Sequence, residues 1–188
     1  MRQLAVLLIS AMVLGGCTSV VDSVTDEPLS SDATSTSIGT SLNDMKMDTY
    51  IGVNIKKADP ELDKSHVNVH VVNGVVLLTG EVPSKELKVL AGDVAREFKG
   101  ARQVYNELQV RGKSSVVSRT NDSVITAKLR TKFVFLKHIK STKIEIVTED
   151  SVVYLMGLID RASAQEATDI ARGTTGIRKV VQVFEYTD

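Results

Sequence analysis

Basic side chains crowd one stretch of the chain. Ser123 to Lys143 carries Lys128, Arg130, Lys132, Lys137, Lys140 and Lys143, with no acidic residue among them. At roughly 100° per residue, Ile125, Leu129, Phe133 and Leu136 fall in one stripe about 80° wide, the face a helix turns to a core. Val124, Ala127, Arg130, Thr131 and Val134 then lie opposite, with Phe135 and Lys128 on the flank. Apolar side chains pointing outward among bases suit a helix lying on an anionic membrane surface. The same pattern serves a helix whose outer Val or Phe packs on a neighbouring domain while its lysines stay solvated.

Other chemistry is sparse. His66, His70 and His138 are the histidines, and none has a partner at metal-ligand spacing. On a strand, His66 and His70 share a face but stand about 13 Å apart. No Gly-rich phosphate loop leads into a helix, no G-x-S-x-G occurs, and acidic residues form no obvious catalytic pair. Arg96 and Arg172 occupy equivalent helix positions and read as local caps or pairs. We therefore expect no catalytic residue, no metal, no cofactor and no small-molecule substrate. Twenty-three basic and 23 acidic residues cancel, and four Phe, four Tyr and no Trp are thin for base stacking, so nucleic acid is not an expected partner.

The elements that must carry this stretch repeat. Asn73-Gly74-Val75-Val76-Leu77-Leu78-Thr79-Gly80 returns as Asp150-Ser151-Val152-Val153-Tyr154-Leu155-Met156-Gly157. Each is a turn dipeptide, an apolar β-branched run and a closing glycine, preceded by an alternating run (Val67 to Val71, Ile144 to Val147), which predicts a β-hairpin. The glycine suits a bulge or a close backbone approach. Downstream, Asp93-Val94-Ala95-Arg96 matches Asp169-Ile170-Ala171-Arg172, and Gly100-x-Arg102-x-Val104 matches Gly176-x-Arg178-x-Val180. Two copies of one small domain follow.

Copy one, 46–111, reads as a helix from Asp48-Thr49 ended by Asp59-Pro60, a hairpin at about 66–81, a helix from Pro83-Ser84 with Leu87, Leu90, Ala91, Val94 and Phe98 in one stripe, and a strand from Val104 to Val110. Copy two, 119–187, repeats this with a helix from Asp122, strands 143–148 and 152–159, a helix 161–173 and a strand 178–186; residues 111–119 are a short linker. The expected fold is α+β: two tandem α-β-β-α-β domains, each a small mixed three-stranded sheet covered by two helices. Cores of about 65 residues are marginal alone, which favours packing of one copy on the other.

The N-terminus has its own chemistry. After Met1-Arg2, Leu4 to Leu14 is apolar apart from Ser10, too short to span a bilayer and suited to a signal peptide over 1–16. It ends in Leu14-Gly15-Gly16-Cys17, which resembles the bacterial lipobox, with Cys17, the single cysteine, as the lipid-bearing residue. Thr18 follows instead of the Asp that signals inner-membrane retention in bacterial lipoproteins, so the resemblance implies an outer-membrane anchor facing the periplasm. Residues 17–45 then read as the lipidated Cys and a tether rich in Ser, Thr and Asp, including Asp44, with a reach of roughly 30 Å.

The leading helix, V-x-V-x-x-x-N-G-x-V-x-L-x-G, the Ala-Arg helix and G-x-R-x-V together resemble the BON domain of bacterial envelope proteins. Two copies behind a lipobox are similar to dual-BON outer-membrane lipoproteins of Gram-negative bacteria. The resemblance covers about 46–187. Asp150-Ser151 departs from the family's Asn-Gly and leaves the second turn's type open. The resemblance implies non-enzymatic modules that bind anionic phospholipid and support outer-membrane integrity, with lipid contact at the second domain's leading helix: here Val124, Ala127, Lys128, Arg130, Thr131, Val134 and Phe135. The competing expectation is an interaction module for envelope proteins, such as assembly machinery or peptidoglycan-linked factors.

Overall fold

The computed structural model describes residues 39–111, 116–135 and 144–188. Leader residues 1–16, Cys17, most of the expected tether, Leu136, Lys137, His138, Lys140 and Lys143 lie outside them.

Domain one runs α1 (Gly39–Ala58), α2 (Pro60–Lys64), β1 (His66–Val72), β2 (Val75–Val82), α3 (Lys85–Glu97), β3 (Gln103–Asn106) and β4 (Gln109–Val110). Domain two runs α4 (Val116–Val134), β5 (Glu145–Glu149), β6 (Val152–Ile159), α5 (Arg161–Arg172) and β7 (Lys179–Tyr186). In each, a hairpin is antiparallel, and a helix crossover returns the last strand parallel to the hairpin's second strand. The expected architecture holds, with three departures. The last strand of domain one is split at Glu107-Leu108, so its sheet has four strands. Pro60 does stop α1 at Ala58, but Asp59 then caps a further short helix, its carboxylate accepting from the Glu61 N–H at 2.7 Å. Both leading helices also start earlier than Asp48 and Asp122: α1 takes residues 39–45 from the tether, and α4 takes 116–119 from the linker.

The reason for the longer helices is visible at the hairpin turns. Asn73 and Gly74 have φ of 51° and 73°, and Asp150 and Ser151 have 48° and 60°. Two consecutive positive φ values are the type I′ signature, so both turns share one type although only the first is Asn-Gly. The turn N–H groups point at the leading helix. Asp44 accepts from Asn73 N–H at 2.6 Å and Gly74 N–H at 3.1 Å; Asp122 accepts from Asp150 and Ser151 N–H at 2.8 and 2.7 Å. The turn carbonyls are claimed by the G-x-R-x-V motif: Arg102 N–H donates to Gly74 and Arg178 N–H to Ser151, each at 2.8 Å. An aspartate that looks like tether or cap is thus a mid-helix side chain holding a turn. The closing glycine of copy one is also explained. Gly80 has φ of 111°, and a Cβ there would collide with the His66 carbonyl.

Each domain packs its helices on one sheet face. In domain one Ile51, Ile55 and Leu62 meet Val76, Leu78, Ala91, Ala95 and Phe98; Leu87, Leu90 and Val94 of the expected stripe are half-buried against this core. In domain two Ile125, Leu129 and Phe133 meet Val153, Leu155, Ala164, Ala167 and Phe184. The other sheet faces pack on each other: Val75 and Leu77 of domain one join Val147, Tyr154, Met156 and Val183 of domain two. Strand β2 is therefore buried along its whole length. At about 1.5–3 kcal/mol per buried large apolar side chain, this contact holds the domains together. Burial and the nearby Glu107 and Glu149 carboxylates push the Tyr154 phenol up to about 12.

Polar groups rim the contact. Asn73 Nδ2 donates to Glu185 at 2.8 Å, and Arg102 pairs with the same carboxylate. Arg111 donates to Asp150 at 3.0 Å and lies 3.3 Å from Glu81. Burial raises the Asp150 and Glu185 carboxyls, but hydrogen bonds and charge from Arg111 and Arg178 on one, and from Arg102 and Asn73 on the other, outweigh it. Both are held below their ordinary values of 3.8 and 4.5.

Two outcomes follow. Asp122→Ala, which strands two turn N–H groups beside a 6 % exposed site, lowers unfolding free energy in urea by about 1–3 kcal/mol, and Asp44→Ala does the same in domain one. Because the Glu185 carboxyl is depressed in the fold, its stabilisation is present above its ordinary value and is lost as pH falls through the folded one. Thermal melting from pH 7 to about 3 shows this loss, and Glu185→Gln removes that part of it, worth about 1 kcal/mol or less because Arg102 is half exposed.

Candidate functional site

Helix α4 is positioned by four devices. Ile125, Leu129 and Phe133, each at most 1 % exposed, bury its inner stripe. Thr126 Oγ1 and Thr148 Oγ1 share a hydrogen bond of 2.7 Å that ties it to β5. Asp122 fastens it to the 150–151 turn. Lys132 Nζ near the helix C-terminus donates to Thr174 Oγ1 at 2.7 Å, where a cation also suits the helix dipole.

With the inner face fixed, the outer face is decided. Val124 is 47 %, Val134 68 % and Phe135 77 % exposed, and none belongs to the apolar cluster between the domains. Lys128, Arg130, Thr131 and Ala127 are exposed as well. All seven residues singled out by the sequence thus lie outside the core. They do not form one uniform surface. Val124, Lys128, Thr131, Val134 and Phe135 face outward, whereas Ala127 and Arg130 line a cleft of about 630 Å³ shared with Ser123, Thr126 and, from domain one, His66 and Asn68.

Below that cleft the fold assembles a group that sequence spacing did not reveal. His66, Glu81 and Glu149 each offer one ligand atom, all within 4.8 Å of one another. His66 Nε2 is 3.9 Å from Glu149 Oε2, and Asn68 Nδ2 lies 3.1 Å from both atoms. Histidine spacing could not have found this, since the partners are carboxylates of two other strands, one in the second domain. The available signal was Glu81 itself, a carboxylate inside the run Val75 to Val82. His70 is not part of the group; burial pushes its imidazole pKa down. Among the described residues no helix is long and apolar enough to cross a membrane.

Comparisons with known proteins agree with this architecture. The model of the BON domain family matches residues 51–112 and 121–188. The chain is 30 % identical over 190 positions to outer membrane lipoprotein DolP of Haemophilus influenzae, covering 100 % of this chain and 97 % of that protein. It is 30 % identical to the 21 kDa hemolysin of Actinobacillus pleuropneumoniae, covering 80 % and 77 %. One domain's length, 36 % of the chain, is 41 % identical to 34 % of osmotically-inducible protein Y of Escherichia coli. The two matches span most of the sequence and the lipoprotein likeness spans all of it: the chain belongs to the BON domain family, as a dual-BON outer-membrane lipoprotein facing the periplasm.

Proposed function

We propose that this lipoprotein is a non-enzymatic module that binds anionic phospholipid through the outer face of α4 and so supports the integrity of the envelope. The observation that carries the reading is the exposure of Val124, Val134 and Phe135 beside Lys128, with Arg130 on the adjoining flank that lines the cleft. Isolated exposed apolar side chains are ordinary, but two on the helix and a third in the turn that ends it, with bases and no acid from Ser123 to Phe135, match the interfacial pattern. Each base near an anionic surface contributes on the order of 1 kcal/mol, and insertion of the apolar side chains adds to that. The matching helix of domain one lacks the pattern: Asp48 stands on α1 with Lys56 and Lys57, and Asp59, Glu61 and Asp63 follow. In this reading Cys17 carries the acyl anchor after removal of a signal peptide, and the first domain is the structural partner that holds α4 outward.

Liposome co-sedimentation of the chain from residue 18 onward, which keeps the Asp44 clasp, tests the reading. Binding to vesicles containing phosphatidylglycerol, absent with phosphatidylcholine alone and weakened by salt, is expected. A Val124→Glu/Val134→Glu variant keeps its circular dichroism spectrum, because neither side chain is in the core, and loses binding by more than about tenfold, the effect of at least 1.4 kcal/mol. Equal failure to bind either vesicle overturns the proposal, and the same helix then becomes the bait for envelope proteins.

A further inference from the structure

The group beneath the cleft carries an inference separate from lipid binding. We propose that His66, Glu81 and Glu149 form a site for a divalent transition-metal ion of the Zn²⁺ type, which clamps the two domains.

The sheet itself makes half of the site. His66 on β1 lies directly opposite Glu81 on β2 in the antiparallel register, so their side chains leave the same face. That face looks toward domain two, where β5 supplies Glu149. The three side chains are 26 %, 0 % and 10 % exposed.

A second observation points to a ligand. Among the described residues, the buried side-chain oxygens lacking a hydrogen-bond partner are Thr79 Oγ1 and Glu81 Oε2, both on this face of β2. A fully buried carboxylate oxygen left unsatisfied is strongly unfavourable. Arg111 does not resolve it: it meets the other oxygen, Oε1, at 3.3 Å and shares its charge with Asp150. Glu81, Glu149, Asp150 and Asp122 stand against Arg111, Arg178 and Arg130, so a divalent cation meets a local excess of negative charge.

The donor set selects the ion class. One imidazole and two carboxylates suit Zn²⁺ and its neighbours Co²⁺ and Mn²⁺ better than Mg²⁺, and three protein ligands leave a position for water. Donor atoms bound to one Zn²⁺ at about 2.0–2.2 Å sit roughly 3.5 Å apart, so closing from 4.8 Å takes small side-chain rotations. Asn68, whose amide lies against His66 Nε2 and Glu149 Oε2, turns aside as the ion takes those lone pairs. The ion enters from the cleft, which His66 and Glu149 both line. Because the ligands come from both domains, binding stabilises the docked arrangement.

Isothermal titration of the chelator-treated chain from residue 18 onward, with Zn²⁺ and with Mg²⁺, tests the site. One Zn²⁺ per chain is expected, with a higher melting temperature, no comparable Mg²⁺ effect, and visible absorption when Co²⁺ replaces Zn²⁺. His66→Gln and Glu149→Gln each weaken Zn²⁺ binding by more than about tenfold with the circular dichroism spectrum retained, whereas His138→Gln and Val124→Glu/Val134→Glu leave it intact. Absence of saturable Zn²⁺ binding overturns the proposal. So does binding that survives both ligand variants or depends on His138. A chain that binds Zn²⁺ but not vesicles, or the reverse, separates this site from the membrane reading.

Discussion

Val75 and Leu77 of one sheet press on Val147, Tyr154, Met156 and Val183 of the other, and this apolar contact sets what the remaining surfaces can do. It consumes the faces that antiparallel hairpins normally leave to water, so β2 is buried on both sides and the core of β6 nearly so. The helices are thereby driven to the outer sides of the molecule. Helix α4 cannot rest its outer residues on domain one, because domain one is engaged by the opposite face of its sheet. Exposure of Val124, Val134 and Phe135 is a consequence of the sheet contact, not a local accident of α4.

The repeat shows which features the fold demands and which are free to diverge. Both copies keep an aspartate in the leading helix that accepts from both turn N–H groups, and an arginine just before the last strand whose N–H donates to the turn carbonyl. This clasp lets domain two keep a type I′ turn with two non-glycine residues at positive φ, a conformation that ordinarily costs free energy at each. The substitution of Asp150 for an asparagine has a use as well. Asn73 reaches across to Glu185, while Asp150 reaches back to Arg111, so the turn of each domain is bonded to the other domain.

Much of this was legible in the residues, for reasons that can be named. The twin hairpins, the crossover helices and the inner stripe of α4 follow from period and turn chemistry, which act locally. The closing glycine at 80 suits either a bulge or a close backbone approach on sequence alone, and the structure shows the approach, to the His66 carbonyl. What stayed hidden depends on pairs far apart in the chain. Asp44 reads as tether because nothing near it in sequence marks its partner 29 positions on. The leading helices begin before Asp48 and Asp122, because an aspartate ahead of an apolar stripe reads as a helix start when its tertiary acceptor role is unseen. Glu81, Glu149 and His66 come together through register and domain docking, neither of which spacing encodes.

Helix α4 sits where these constraints meet. Its inner stripe belongs to the second core, Asp122 holds the second turn, and its Ala127–Arg130 flank borders the seam between domains. The seam and the outer face are therefore two sides of one rigid element. A change in the seam, whether loss of the Arg111–Asp150 pair or a charge placed among His66, Glu81 and Glu149, acts on the same helix that presents Val124 and Val134. The first domain thus contributes to the outer face without touching it: by occupying the inner side of the second sheet it leaves α4 only the solvent, or a surface, to meet.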